Sequence, residues 1–372
     1  MVRYPAGTER VRRDRKLPVN IRTLRRTLGN FAVITFNRLL GRSFAPVPYR
    51  DLFVETSQRC NLTCRFCAYS PRGPSALMGT ETFREVIGQA EAMNYESICL
   101  TPMLGDLFAD PGCIEKFEIL ENSPVIRRFL FYTNFILARE DAIRALPRFA
   151  KLHAMFISVY GCDPDTFTRV TGKPARQYDK LIANLGILHE ISGGMKLAGG
   201  LHFNIRTVGG TTADNLPATP MTEIMRKLAR DRGASLSIAD DFDTWGGVVK
   251  DADVADLGVR LIDGRDVYHR GACAYLFSSP QVMADGTVHA CACRDVDGSL
   301  RLGHVSERPL REIVSWSNPV LRGIVEDHEA GRFPAVCRSC SLYRSIYDHR
   351  PAAHDPSFKT VPLAEAIRRL GG

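Results

Sequence analysis

The chain has 372 residues, 45% of them hydrophobic and 24% charged, with a formal net charge of +8. That balance is ordinary for a globular protein and too apolar for a disordered one, and the length fits about two domains. No run approaches the ~20 apolar residues of a membrane span, and Phe31–Phe36 leads into Asn37 and Arg38 with no small-residue cleavage site, so neither a transmembrane segment nor a secretory signal is expected.

The front of the chain is a basic arm. Arg3, Arg10, Arg12, Arg13, Arg15, Lys16, Arg22, Arg25 and Arg26 face only Glu9 and Asp14. Such a run is a solvated arm or a contact for an acidic partner or an anionic membrane face. No aromatic residues alternate with the arginines, so nucleic acid is not expected. Ile21–Leu40 reads as one helix, and residues 1–49 as an appendage.

From residue 50 strands and helices alternate. Leu52–Glu55, Ile98–Thr101, Phe129–Thr133, Met155–Val159, Leu201–Val208 and Leu236–Ala239 are strand-like. Between the first two, Thr80 is placed to cap a helix carrying Phe83, Val86, Ile87, Ala90 and Met93 on one face. Tyr178, Leu181, Ile182, Leu185, Leu188 and Ile191 form the clearest helical stripe. Six strands alternating with helices predict a parallel α/β domain over 50–245, an open sheet or partial barrel, with its chemistry at the strands' carboxyl ends. After Trp245-Gly246-Gly247 the texture changes. Gln281–Met283 and Val288–Ala290 flank Asp285-Gly286, a hairpin signal, and Leu310–Trp316 and Pro319 to about Glu329 are helical. This predicts a smaller α+β unit over 246–350, followed by a tail over 351–372.

Eleven cysteines, an odd number in a chain without an export signal, argue for metal-binding thiolates in a reducing cytoplasm over disulfides. Cys60, Cys64 and Cys67 form C-x3-C-x2-C directly after the first strand. Three thiolates in one loop can supply three of the four iron ligands of a cubane, leaving one iron open. Zinc would need a fourth ligand, and the nearest downstream histidine is His153.

The stretch Cys60-Asn-Leu-Thr-Cys64-Arg-Phe66-Cys67, with an aromatic residue before its third cysteine and β/α alternation around it, resembles the radical SAM superfamily over about residues 50–245. The resemblance implies a partial (β/α)6 barrel, a 4Fe–4S cluster on Cys60, Cys64 and Cys67, S-adenosylmethionine as co-substrate, and an external one-electron donor such as flavodoxin or ferredoxin. Reductive cleavage of S-adenosylmethionine would release a 5′-deoxyadenosyl radical that abstracts hydrogen from the substrate. Gly105 and Asp106 then stand where the family binds the methionine portion, although one glycine and an aspartate replace its Gly-Gly-Glu-Pro-like turn, and Phe66 of the cysteine motif is a further expected cofactor contact. Asn134 ends the third strand, Ser158 is the expected ribose contact, and Arg169 resembles the family's partner for the methionine carboxylate.

Cys273, Cys291, Cys337 and Cys340, spaced by 18, 46 and 3 residues, resemble the Twitch subdomain, a shortened SPASM domain, and imply one auxiliary 4Fe–4S cluster. Cys293 competes with Cys291 as the ligand. Zinc is the rival metal, although zinc knuckles pair two C-x2-C units and only one occurs here. A fully ligated auxiliary cluster points to electron transfer, and so to alcohol dehydrogenation of a small polar substrate such as a sugar or aminocyclitol. Epimerisation is the second reading, with Cys162 as hydrogen donor among the spare thiols Cys99, Cys113, Cys162 and Cys293. Maturation of a ribosomal peptide is a third, and a non-catalytic iron–sulfur or zinc scaffold a fourth. Asp240, Asp241, Asp243 and Trp245 could contact a polyhydroxyl substrate. His202, Asn204 and Arg206 share one strand face, a candidate barrel interior.

Overall fold

A short strand, β1 (Phe44–Pro46), leads into six parallel strands: β2 (Asp51–Val54), β3 (Ser97–Leu100), β4 (Arg128–Thr133), β5 (Leu152–Tyr160), β6 (Gly200–Arg206) and β7 (Ser235–Ile238). They hydrogen-bond in that order, with Leu52, Ile98 and Phe129 in register. The computed structural model describes residues 31–69, 73, 75–239, 241–292, 294–349 and 359–371. All six strands fall within a few residues of their sequence positions.

The crossovers are helical: α1 (Thr80–Ala92), α2 (Cys113–Asn122), α3 (Glu140–Ala145), α4 (Pro164–Thr171), α5 (Arg176–Ile191) and α6 (Pro220–Arg232). Leu52, Val54, Ile98, Phe129, Phe131, Ile157, Phe203 and Ile205 pack against Phe83, Val86, Phe117, Leu181, Leu185 and Leu228 of these helices. Each such side chain contributes roughly 1.5–3 kcal/mol on burial. Alternate strand residues face the other way, where Phe53, Cys99, Leu130, Ala154 and Phe156 form a separate apolar floor. Gly79, not Thr80, caps α1; the Thr80 hydroxyl donates instead to Glu115 at 3.0 Å.

The C-terminal unit is not set apart from this sheet. Its strands β10 (Gln281–Val282), β11 (Thr287–His289) and β12 (Arg301–His304) continue it on the outer edge of β2, in the order β12-β11-β10-β2. The expected hairpin is present, but β10 runs parallel to β2 and covers an edge that would otherwise be open. Among the described residues no closed barrel forms. Two more short strands, β8 (Asp241–Asp243) and β9 (Arg260–Ile262), pair with each other.

The expected N-terminal helix is present where the chain is described, and the C-terminal end departs from expectation. Residues 31–39 are helical, whereas the rest of the predicted Ile21–Leu40 helix and the basic arm lie outside the described residues. The C-terminal stretch, expected as a tail, returns as β13 (Thr360–Pro362), antiparallel to β1, and as a helix over Leu363–Arg369 that buries Ala366. Leu370 then accepts a hydrogen bond from the Trp316 backbone. The apolar positions of that helix explain its docking.

Candidate functional site

The loop after β2 carries Cys60, Cys64 and Cys67 and is fastened to the end of α4. Thr63 and Arg65 donate backbone N–H groups to Thr171 and Val170, and the Thr63 hydroxyl also binds the Thr171 carbonyl at 2.9 Å. The thiols lie close enough to bear on one another's ionisation. Burial is the main cause that raises all three, Cys60 to about 12 and Cys64 well above its ordinary value. Three buried thiols cannot all ionise without added positive charge. Among the described residues no three His, Cys, Asp or Glu side chains could share one metal ion. Three thiolates fill three of a cubane's four iron positions, whereas a closed zinc site needs a fourth ligand, so the donor set fits a cluster better than zinc. The sulfurs also accept N–H bonds, Cys60 from Leu62 and Cys67 from Tyr69, both at 3.5 Å.

Asp106 and Gly105 hold the loop from the side. The Asp106 carboxylate is buried, and burial raises it to about 6 against the hydrogen bonds it accepts. Those come from the backbone N–H groups of Asn134 (2.6 Å) and Phe108 (3.0 Å) and the Thr133 hydroxyl. Asn134, oriented in this way, donates to Asn61 at 2.9 Å and to the Cys60 sulfur at 3.7 Å. Gly105 packs on the loop so closely that a Cβ there would stand 2.1 Å from the Ser57 carbonyl oxygen.

The sheet face opposite the helices leads up to the thiols. Tyr132, Phe156 and His202 are in register and stack at 4.4 and 4.6 Å. One layer nearer the carboxyl ends come Ser158, Asn204 and Ser237, then Tyr160 and Arg206. Tyr160 contacts Phe66 at 5.4 Å, and the Arg206 charge favours the ionised forms of Cys64 and Cys67. The alternation of His202, Asn204 and Arg206 therefore does line the interior face. Glu55, on the same face by its spacing from Phe53, is fully buried. One oxygen accepts from the Met103 backbone at 3.4 Å, the other has no partner, and burial raises the carboxyl to about 8. Sequence reasoning missed it; the only signal is an acidic residue closing an apolar run.

Two expected contacts lie elsewhere. Arg169 is exposed on α4 and donates to the Asp256 carbonyl at 2.7 Å, beside the Arg65–Asp256 ion pair. Cys162 is buried among the helix-side core residues, and its carbonyl accepts from the Tyr178 and Thr219 hydroxyls. Burial raises its thiol to about 12.

In the second cluster, Cys273 and Cys337 both bear on Tyr343, and Cys340 closes a turn on the Cys337 carbonyl. Cys291 follows β11, and Cys293 lies outside the described residues. His328 accepts the Cys273 N–H through Nδ1 at 3.4 Å. Burial lowers His328 to about 4, so it is neutral with its hydrogen on Nε2, which is buried without a partner. Cysteine thiols with a buried neutral histidine bound to the Cys273 backbone are the donor chemistry an iron–sulfur cluster takes.

Residues 242–247 join the two cysteine groups. Phe242 packs on Phe66 at 4.8 Å, while Trp245 packs on the buried group of Ala68, Met103, Leu104 and Met283, which Cys67 also joins. On the other side Asp243 accepts from Arg294 (2.6 Å), from the Trp245 backbone (2.7 Å) and, in a short bond, from the Ser341 hydroxyl. The Arg294 guanidinium stands 4.5 Å from the Trp245 ring centroid, and its charge also favours the Cys67 thiolate. Trp245 adopts φ +51°, a conformation costly for a bulky residue. Gly246 follows at φ +65°, where a Cβ would meet Val336 at 2.8 Å. Sequence reasoning singled out Asp243 and Trp245 but not Arg294, whose signal is its place beside Cys293.

The sequence matches the radical SAM superfamily over residues 54–214 and an iron–sulfur cluster-binding domain, SPASM, over residues 273–341. No curated protein matches it. Among solved structures, Streptococcus suis SuiB bound to S-adenosylmethionine is 13% identical with a TM-score of 0.51, over 83% of this chain and 78% of that one. SuiB bound to its precursor peptide SuiA is also 13% identical at TM-score 0.51, over 79% and 70%. BtrN in complex with AdoMet and 2-DOIA is 13% identical at TM-score 0.48, over 81% and 96%. The SuiB likeness agrees with the fold described here. The two family matches imply a 4Fe–4S cluster, an auxiliary cluster and S-adenosylmethionine as the cofactors, and the chain belongs to the radical SAM superfamily, with a C-terminal SPASM-type domain.

Proposed function

We propose that the protein dehydrogenates an alcohol group of a small polar substrate of the sugar or aminocyclitol class. The auxiliary 4Fe–4S cluster, held by Cys273, Cys291, Cys337 and Cys340, is the electron acceptor in this reading. The observation that carries it is the bridge of Asp243, Trp245 and Arg294, which packs against the Cys67 loop on one side and the Ser339–Ser341 loop on the other. When bound, the first cluster and S-adenosylmethionine supply the radical that removes a hydrogen atom from carbon. This chain's own residues do the rest. Cys60, Cys64 and Cys67 hold the first cluster, with Asn134 donating to the Cys60 sulfur. Phe66, Gly105, Asp106, Ser158 and Arg206 surround the space for S-adenosylmethionine, and Arg206 supplies the cation for its carboxylate in place of Arg169, which is engaged by Asp256. The polar layer of Ser158, Asn204 and Ser237 suits a polyhydroxyl compound.

Cys162 is buried, with its carbonyl bound by the Tyr178 and Thr219 hydroxyls of the helical layer, which weighs against epimerisation through that thiol. In this reading the protein works in the reducing cytoplasm and takes its electron from a donor of the flavodoxin or ferredoxin type. The test is anaerobic turnover of a panel of hexoses and aminocyclitols in D2O with S-adenosylmethionine and reductant. The expected product is lighter than its substrate by two hydrogens, with one 5′-deoxyadenosine formed per product. An isomeric product carrying solvent deuterium would replace dehydrogenation with epimerisation.

A further inference from the structure

The helix over residues 31–39 has two opposite faces. Ile34 and Asn37 are buried, and Asn37 donates to the Tyr347 carbonyl at 2.9 Å. Arg38 lies over the Tyr347 ring and Phe31 meets Tyr268. These contacts dock one side of the helix on the C-terminal unit. At about 100° per residue, Leu39, Ala32, Phe36, Leu40 and Val33 fall in that angular order on the far side, across an arc of about 120°. All five are exposed, Phe36 at 60% and Leu39 at 81%. A contiguous apolar face on a helix already packed from behind is not part of the core, and it is large enough to mark an interaction surface.

Charge identifies the occupant. The helix follows a segment with nine basic and two acidic residues, and Arg42 adds one more cation just past its end. Phenylalanine and leucine side chains flanked by arginines match the headgroup–acyl boundary of an anionic bilayer, where apolar insertion and counterion attraction reinforce each other. Nucleic acid would use the arginines and leave Phe36, Leu39 and Leu40 without a role. We infer that residues 31–40, with the basic arm before them, dock the protein on an anionic membrane surface, with Val33, Phe36, Leu39 and Leu40 inserted. The inference is independent of the reaction proposed above.

The experiment uses the full chain, purified anaerobically, and sedimentation with vesicles of phosphatidylcholine alone or mixed with phosphatidylglycerol. The protein should sediment with the anionic vesicles and stay in solution with the neutral ones. Phe36→Ser, Leu39→Ser and Leu40→Ser combined should weaken that binding at least tenfold while the melting temperature and iron content stay at their wild-type values. Failure to bind anionic vesicles, or binding unchanged by the triple substitution, would overturn the inference. A wild-type dimer in analytical ultracentrifugation that the same substitutions dissolve, without vesicle binding, would assign the face to a second copy. RNA or DNA binding that survives the substitutions, again without vesicle binding, would assign the arm to nucleic acid.

Discussion

Glu55 and Gly105 show how single residues set the site. Glu55 is a buried carboxyl with an unpartnered oxygen, raised from 4.5 to about 8. Below about pH 4.5 it is protonated in both folded and unfolded chains. Above that the unfolded chain ionises first, so stability falls as pH rises toward 8 and then levels off, at ~1.4 kcal/mol per pH unit between the two values. Glu55→Gln should therefore melt several degrees above wild type at about pH 8.5 and nearly with it at about pH 5. Equal melting temperatures at both pH values would show that Glu55 is not held neutral. At Gly105 the clash with Ser57 is with backbone, which no rotamer relieves. Gly105→Ala should cost more than the ~1–3 kcal/mol of ordinary overpacking and lower iron content by displacing the loop of Cys60. Full iron content with an unchanged melting temperature would contradict that. Gly105 was legible only as a cofactor position; its packing on Ser57 was not, because the contact joins segments nearly fifty residues apart.

Secondary elements were the most readable level. The strands and the α5 stripe follow from periodicity because β5 and β6 bury one face under helices and α5 buries one stripe. Capping signals are equally local: Asp163-Pro164 and Thr219-Pro220 open α4 and α6 with capping boxes, and glycines in left-handed geometry close them. What sequence could not show is pairing between distant elements. Nothing in Gln281-Val282 announces β2 as its partner, and nothing in Thr360–Pro362 announces β1. The bridge between the cysteine groups is of the same kind, since Asp243 draws Arg294 and Ser341 from far along the chain. Both partners of the Asp243–Arg294 pair are nearly buried, so Asp243→Ala should cost about 2–3 kcal/mol, short of the 3–5 of a fully buried pair. It should also loosen the loop of Cys337 and Cys340, halving iron content while the Cys60, Cys64 and Cys67 cluster remains. Wild-type iron and stability in that variant would mean that the bridge supports neither.

At the scale of the molecule, one sheet carries the first cysteine loop and one member of the second group, Cys291. The first loop follows β2, Cys291 follows β11, and β10 links the two through its parallel pairing with β2. Sequence spacing separated the groups into two units because the texture changes near residue 246; the structure joins them because an exposed edge of β2 is satisfied by β10. The first cluster was readable from three cysteines and Phe66, a local motif. The second depends on four cysteines spread from Cys273 to Cys340, which only the fold can bring together. An auxiliary electron acceptor requires that second group to hold a cluster of its own. The decisive measurement is the iron and sulfide content of the Cys60→Ala, Cys64→Ala, Cys67→Ala variant, purified and reconstituted without oxygen. About four irons per chain with a 4Fe–4S spectrum is the predicted result. Loss of all iron, above all with zinc in its place, would contradict an auxiliary electron acceptor and with it the dehydrogenation.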